Sequence, residues 1–280
     1  GVPYEIVTPF TVASLTRADG TFRLRFVQRG DVIYITSDGQ YAVQKLIRLT
    51  ASTFSIAALE TTGGPFLDID PDNAVTVYAS AATGTGVTLT ASSSVFTAAH
   101  VGALIFIEQA KVDIVKAWEP GKAVGAGVLR RSDGKNYISL NAATTGAVKP
   151  LHSVGAYFDG DNGVSWQFQD PGYGWAKITG YTSGTVVTAT ILSRIPDGAV
   201  GVSNASDRWS FGAFNAVNGY PDNVTFYRER LCFAKGLKIY GSASGDYENF
   251  NRYDDAGLVT ADRAFIIDVS SDEAEEIVWM

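Results

Sequence analysis

An all-β fold is what the sequence predicts, and three features carry the prediction. Charged residues make up only 18% of the chain against 46% hydrophobic ones, too few charges to coat the outer faces of many helices. Gly alone counts 29, and Ser and Thr are abundant, which suits strands joined by tight turns. Apolar and β-branched residues recur with a period of two in run after run. Only "AKVDIVKAW", Ala110 to Trp118, has a mild helical period, and it reads equally well as a strand. At 280 residues the chain exceeds the usual size of one core, so two or more domains, or one domain with an insertion, are expected.

Residues 1–65 read as the first part of a β-meander. In "DVIYIT", Val32, Tyr34 and Thr36 alternate with Ile33 and Ile35, and Asp38-Gly39 follows where a hairpin turn wants positive φ. "AVQKLIRL" then runs back, giving three or four strands between Phe22 and Leu59. Gly63-Gly64-Pro65 punctuates the chain. Residues 66–206 read as inserted β domains, one or two small barrel-like modules. Their strands are expected in "AVTVYASA", "GVTLTASS", "VGALIFIEQ", "NYISL", "VSWQF", "GWAKITGYTSGTVVTATIL" and "RWSFGAF". Residues 207–280 return to the first texture. Val224 and Phe226 alternate with Thr225 and Tyr227, and "RLCFA" and "LKIYG" flank a Lys235-Gly236 turn with Leu231, Phe233, Leu237 and Ile239 as core positions. Two meanders around an insert predict a partial β-propeller-like platform. Both ends, "GVPYEIVTPF" without an initiator Met and "EEIVWM" within a strand pattern, suggest a piece of a longer protein.

Composition narrows the chemistry. A net charge of -7, from 29 acidic and 22 basic residues, argues against a broad phosphate-binding surface. Between Asp246 and Met280 ten acidic residues face two arginines, a solvated face that would also repel DNA sliding past it. No charged residue occurs from Asn73 to Ile107, but the densest apolar run there, "VGALIFI", is far shorter than the roughly 20 residues of a spanning helix, so no membrane-spanning segment is expected. The single Cys232, between Leu231 and Phe233, reads as a small buried side chain.

Candidate sites are correspondingly thin. Asp68, Asp70 and Asp72 have the first spacings of a Ca²⁺ loop, yet Asn73 stands where that loop needs Gly and Ala79 where it needs a bidentate Glu. "GKAVGAGVLRR" lacks the Lys-Ser/Thr ending of a phosphate-binding loop. His100 and His152 have no ligand-like spacing, so no metal, cofactor or catalytic set is expected. Trp166, Tyr173 and Trp175, with Phe168 nearby, form a mixture that would stack on a sugar if exposed, and Asp159, Asp161 and Asp170 lie close enough in sequence to supply paired carboxylates. Aromatic β-core and turn chemistry is the simpler reading of both.

One block goes further. "GYPDNVTFYRERLCFA" followed by "YGSASGDYENF", with "TPF", "LRFVQRGDVIYI", "VFTAAHVGALIFI" and "GVSWQFQDPGYGWAKIT", resembles a widespread group of bacteriophage tail proteins known as nozzle, tail tubular or stabilisation proteins. The specific combination is Pro221, Val224, Phe226, Arg230, Leu231, Phe233, Ser244, Gly245, Asp246, Tyr247 and Phe250. Here the turn "KGLKIYG" is shorter than the proline-containing loop usual in the group. The resemblance implies a non-enzymatic virion component of a short tail. Such a component is a homo-oligomeric ring, a hexamer by that resemblance, which contacts adaptor and fibre proteins and passes DNA without binding it specifically. Within it, Val224, Phe226, Leu231, Phe233, Leu237 and Ile239 would build a blade core, while Asp246, Tyr247 and Phe250 lock the loop leading onward. A receptor-binding module using Trp166, Tyr173 and Trp175 on a surface glycan is the alternative.

Overall fold

A computed structural model describes residues 4–110, 115–254, 258–269 and 277. These residues are almost wholly β. Helix is confined to a single turn, α1 (Val12–Leu15), and to short 3-10 turns. The chain divides into two compact units: Gly1–Pro65, Ala213–Tyr253 and Val259–Met280 form the first, Phe66–Gly212 and Asp254–Leu258 the second.

The first unit opens with β1 (Leu24–Arg29), β2 (Val32–Ser37), β3 (Gln44–Arg48) and β4 (Phe54–Ala58), an antiparallel meander in sequential order. Period-two alternation in β2 resolves with Tyr34 and Thr36 buried while Ile33 and Ile35 are half-exposed on the other face. Asp38 and Gly39 both take positive φ, 55° and 73°, as the mirror-image turn demands.

The second unit carries twelve strands: β5 (Val77–Ala79), β6 (Val87–Ala91), β7 (Leu104–Glu108), β8 (Ala123–Val124), β9 (Leu129–Ser132), β10 (Lys135–Ser139), β11 (Ala143–Thr144), β12 (Ala156–Phe158), β13 (Ser165–Asp170), β14 (Tyr173–Ser183), β15 (Val186–Ser193) and β16 (Trp209–Phe211). Six of them form an antiparallel sheet in the order β16-β7-β14-β15-β6-β5. Val77 on its last strand exchanges both backbone hydrogen bonds with Ser206, at 2.7 and 2.8 Å, just ahead of β16, so the two ends of the sheet meet as in a small barrel. Leu89, Ile105, Ile107, Ile178 and Val187 fill it. A second sheet, β12-β13-β10-β9, with the ribbon β11-β8, encloses a smaller core of Val124, Tyr137, Val164 and Trp166.

One expectation needs correction here. The excursion ends at Gly212, not Ser206: β16 pairs with β7 (Trp209↔Ile107) and Gly212 N–H donates to Leu104 O at 2.7 Å, so the strand before the return belongs to the second unit. "AKVDIVKAW", which the sequence leaves open between helix and strand, takes no helix where it is described. Residues 111–114 lie outside the described residues, and Ala117 bridges Arg131 in extended conformation.

The chain returns to the first unit through β17 (Asn223–Tyr227), β18 (Arg230–Lys235), β19 (Lys238–Gly241) and β20 (Phe265–Asp268), again in sequential order. Tyr34 and Val43 share one core with Val224, Leu231, Phe233, Tyr240 and Phe250. The β18–β19 register corrects the expected core. Lys235 pairs with Lys238, so the turn residues are Gly236 and Leu237, one place later than Lys235-Gly236. A two-residue turn pairs odd-numbered positions of β18 with even-numbered ones of β19, so Tyr240, opposite Phe233, takes the core face, and Ile239 and Leu237 are half-exposed.

Candidate functional site

The motif Pro221–Phe250 is the best-defined constellation, and its chemistry is architectural. β17 meets β18 through Arg228 and Glu229, both at positive φ (44° and 61°) although neither is glycine. This tight turn delivers Arg230, only 8% exposed, beneath the sheet end. Its guanidinium donates to three backbone carbonyls, those of Ser242, Ala261 and Arg263, the last at 2.6 Å, and its charge lies 5.5 Å over the Phe265 ring. A planar, rigid donor fork suits that task. Arg230 therefore gathers the end of β19 and the approach to β20 around one buried cation. Ser242, fully buried, accepts from Leu231 N–H at 3.0 Å and donates to Ala243 O.

Beyond Ser242 the loop turns back. Phe250 stacks on Phe233 at 5.8 Å, and Tyr247 meets Phe226 edge-on at 5.1 Å with the Arg29 guanidinium 4.8 Å above its ring. Backbone bonds from Thr62 N–H to Glu248 O and from Phe250 N–H to Thr62 O stitch this loop to the end of the first meander. Glu248, quoted in the motif but given no role by sequence reasoning, is the link: Tyr34 Oη donates to its carboxylate at 2.9 Å and Lys45 pairs with it. Burial first, and then that bond to Glu248, holds the Tyr34 phenol well above its ordinary pKa. The signal available in sequence was only a Glu among the aromatic residues Tyr247 and Phe250; its partner Tyr34 lies more than two hundred residues away.

Asp246 differs from the locking role expected of it. Its side chain is exposed, and it shapes the loop through its backbone, donating to Ala243 O and accepting from Asn249 N–H. Ser244 and Gly245 are exposed beside it. Pro221 is buried, its carbonyl accepting from Gly39 N–H at 3.3 Å, so the Asp38-Gly39 turn packs where the motif begins. Cys232 is buried, and burial pushes its thiol up, away from the reactive thiolate.

The aromatic and carboxylate candidates are dispersed. Trp166 is wholly buried and cannot stack on a sugar. Tyr173 stacks on Phe106 at 5.3 Å and Trp175 leans on Phe66 at 6.3 Å, both half-exposed on the other sheet of the unit. Asp159 is a buried node: its Oδ2 accepts from the indoles of Trp118 (3.0 Å) and Trp166 (2.8 Å), and its Oδ1 accepts from Val164 N–H. Burial alone would raise its carboxyl, but these donors outweigh it and hold the group below the usual range. Asp170, buried, is pushed up to about 6 by burial, against the pull of Gly172 N–H, Asn136 and Arg194. Asp161 is exposed. His100 stacks on Phe211 at 4.2 Å, with Nδ1 accepting from Thr97 N–H, and burial lowers its pKa. Among the described residues, no group of three or more His, Cys, Asp or Glu is placed to hold a metal ion, and no helix is long and apolar enough to cross a membrane.

No family model matches the sequence, and no curated protein matches it.

Proposed function

We propose that the protein is a structural subunit of a short phage tail, acting without catalysis in a homo-oligomeric ring that conducts DNA and binds neighbouring tail proteins. The observation that carries this reading is what the Pro221–Phe250 block does physically. Its residues go into a meander core (Val224, Leu231, Phe233), a carbonyl clamp (Arg230) and a loop that fastens one meander to the next (Tyr247, Phe250). Such a motif specifies shape, and a ring built from repeated subunits depends on shape. The resemblance of that block to tail nozzle proteins supplies the biological setting, a virion, and with it the hexameric order and the adaptor and fibre partners. The acidic balance of -7 suits a lumen past which DNA slides without sticking.

The test is electron microscopy of purified particles with the protein located by a genetic tag. A closed ring on the DNA path supports the reading; a peripheral fibre or spike, or a strictly monomeric protein with no ring in the particle, overturns it.

A further inference from the structure

Two contiguous hollows, of about 490 and about 360 Å³, lie in the second unit and share Lys116 and Arg130 on their walls. The first adds Glu119 and Lys122, the second Asp197 and Asn204. Lys116 and Arg130 join them as one groove. Between Val115 and Leu151 six basic residues stand against two acidic ones, in a chain whose overall charge is -7. Lys122 is tied to Glu119 at 3.3 Å and Asp197 to Arg194 at 2.8 Å. Lys116 and Arg130 carry no carboxylate partner among the described residues. Arg130 donates from one terminal nitrogen to Leu129 O at 2.8 Å, which steadies the guanidinium and leaves the rest of its fork for a ligand. The register of β9 on β10 sets Arg130 opposite Tyr137 and Arg131 opposite Asn136, so Arg130 alone of the pair faces this side.

We infer that this groove binds an acidic saccharide, with a carboxylate or phosphate substituent on Lys116 and Arg130 and ring hydroxyls on Glu119, Asp197 and Asn204. The mixed lining decides the class. A nucleic-acid backbone presents only anionic oxygens at close spacing, and affinity for it grows with the number of cations engaged. Here two carboxylates sit beside the cations, and the whole chain is acidic. An acidic sugar offers hydroxyl donors to those carboxylates and an anion to the arginine fork, so both signs on the wall find a partner. Asn204 is held in place by Nδ2 bonds to Asp197 O (3.1 Å) and Val200 O (2.9 Å), leaving its side-chain carbonyl as an acceptor. Trp166, Tyr173 and Trp175 play no part in it. The inference does not depend on the ring reading and places any glycan contact on a surface distinct from those aromatics.

The test is titration calorimetry and an array of anionic glycans with the full chain, using uronic-acid and sialic-acid tetrasaccharides, maltotetraose as neutral control and a single-stranded DNA dodecamer. At least one acidic saccharide is expected to bind more tightly than maltotetraose, with affinity falling about tenfold in Arg130→Ala and further in Lys116→Ala/Arg130→Ala, as loss of a charge-assisted pair predicts. Arg130→Lys should recover part of it, and unchanged thermal unfolding should accompany each exposed substitution. No binding to any anionic glycan overturns the inference, as does binding that survives in the double variant. Groove-dependent binding of the DNA in preference to every saccharide assigns the site to nucleic acid and also overturns it.

Discussion

Replacing Asp170 by Asn should change the pH dependence of folding, and the structure fixes the sign. The carboxylate is fully removed from solvent. Oδ1 accepts from Asn136 Nδ2 at 2.7 Å and Gly172 N–H at 3.0 Å, while Oδ2 has no hydrogen bond and the Arg194 Nε only at 3.7 Å. Burial therefore wins and lifts the folded pKa from 3.8 to about 6. A raised folded pKa means that the native state holds the proton more tightly than the unfolded chain. The associated stability is fully present below the unfolded pKa of 3.8 and is lost as pH rises through about 6. Roughly two units at about 1.4 kcal/mol each make this about 3 kcal/mol. Asn keeps an acceptor for both donors and does not titrate, so the variant's stability relative to the wild type should rise by about that amount between pH 4 and pH 7.5. Urea unfolding followed by tryptophan fluorescence is the assay, because Trp118, Trp166, Trp175 and Trp209 all lie in the second unit. A stability difference that stays flat across that range would refute the reasoning and mean that Oδ2 is solvated or paired in solution.

Three further outcomes are expected. Phe233→Ala, at a wholly buried ring stacked on Phe250, should cost about 3 to 5 kcal/mol in denaturant unfolding; a loss below about 1 kcal/mol would show that the motif does not build the core. Asp159→Ala strands the buried Trp166 indole N–H and the part-buried one of Trp118 and should cost about 3 kcal/mol, with Asp159→Asn clearly milder, read by thermal unfolding and by a shift in Trp emission. Glu248→Ala should cost about 2 kcal/mol and speed amide exchange over residues 244–250; unchanged exchange there would remove Glu248 as the fastener of the loop.

Much of the fold was legible because β-structure writes itself locally. Period two, Asp38-Gly39 and the small-residue turns located most strands of the two meanders and the longer strands of the excursion between them, but not the short β8, β9, β11 and β12 or the late β20; the Gly-Gly-Pro break at 63–65 marked where the excursion begins. Its end lies at Gly212 and not at Ser206: "RWSFGAF" reads as one of its strands, and the pairing of β16 with β7 keeps that strand inside the excursion. The core of β19 differs from the expectation for a reason of parity. A two-residue turn at either Lys235-Gly236 or Gly236-Leu237 pairs odd positions of β18 with even ones of β19, so Leu237 and Ile239 cannot share the face of Leu231 and Phe233, and the choice of turn only sets whether residue 238 or 240 stands opposite Phe233.

The sequence by itself determined the class of fold, the succession of hairpins in the two meanders and the make-up of the Pro221–Phe250 block, since these depend on neighbours a few positions apart. The tertiary structure alone decided what those residues touch. Arg230 found three carbonyls spread from 242 to 263, Glu248 found Tyr34 and Lys45, Asp159 found two tryptophans, and Lys116 met Arg130 across a groove. The physical reason is that a buried polar group must be satisfied by whatever the fold brings to it. Chain topology chooses that partner, and sequence separation carries no trace of the choice.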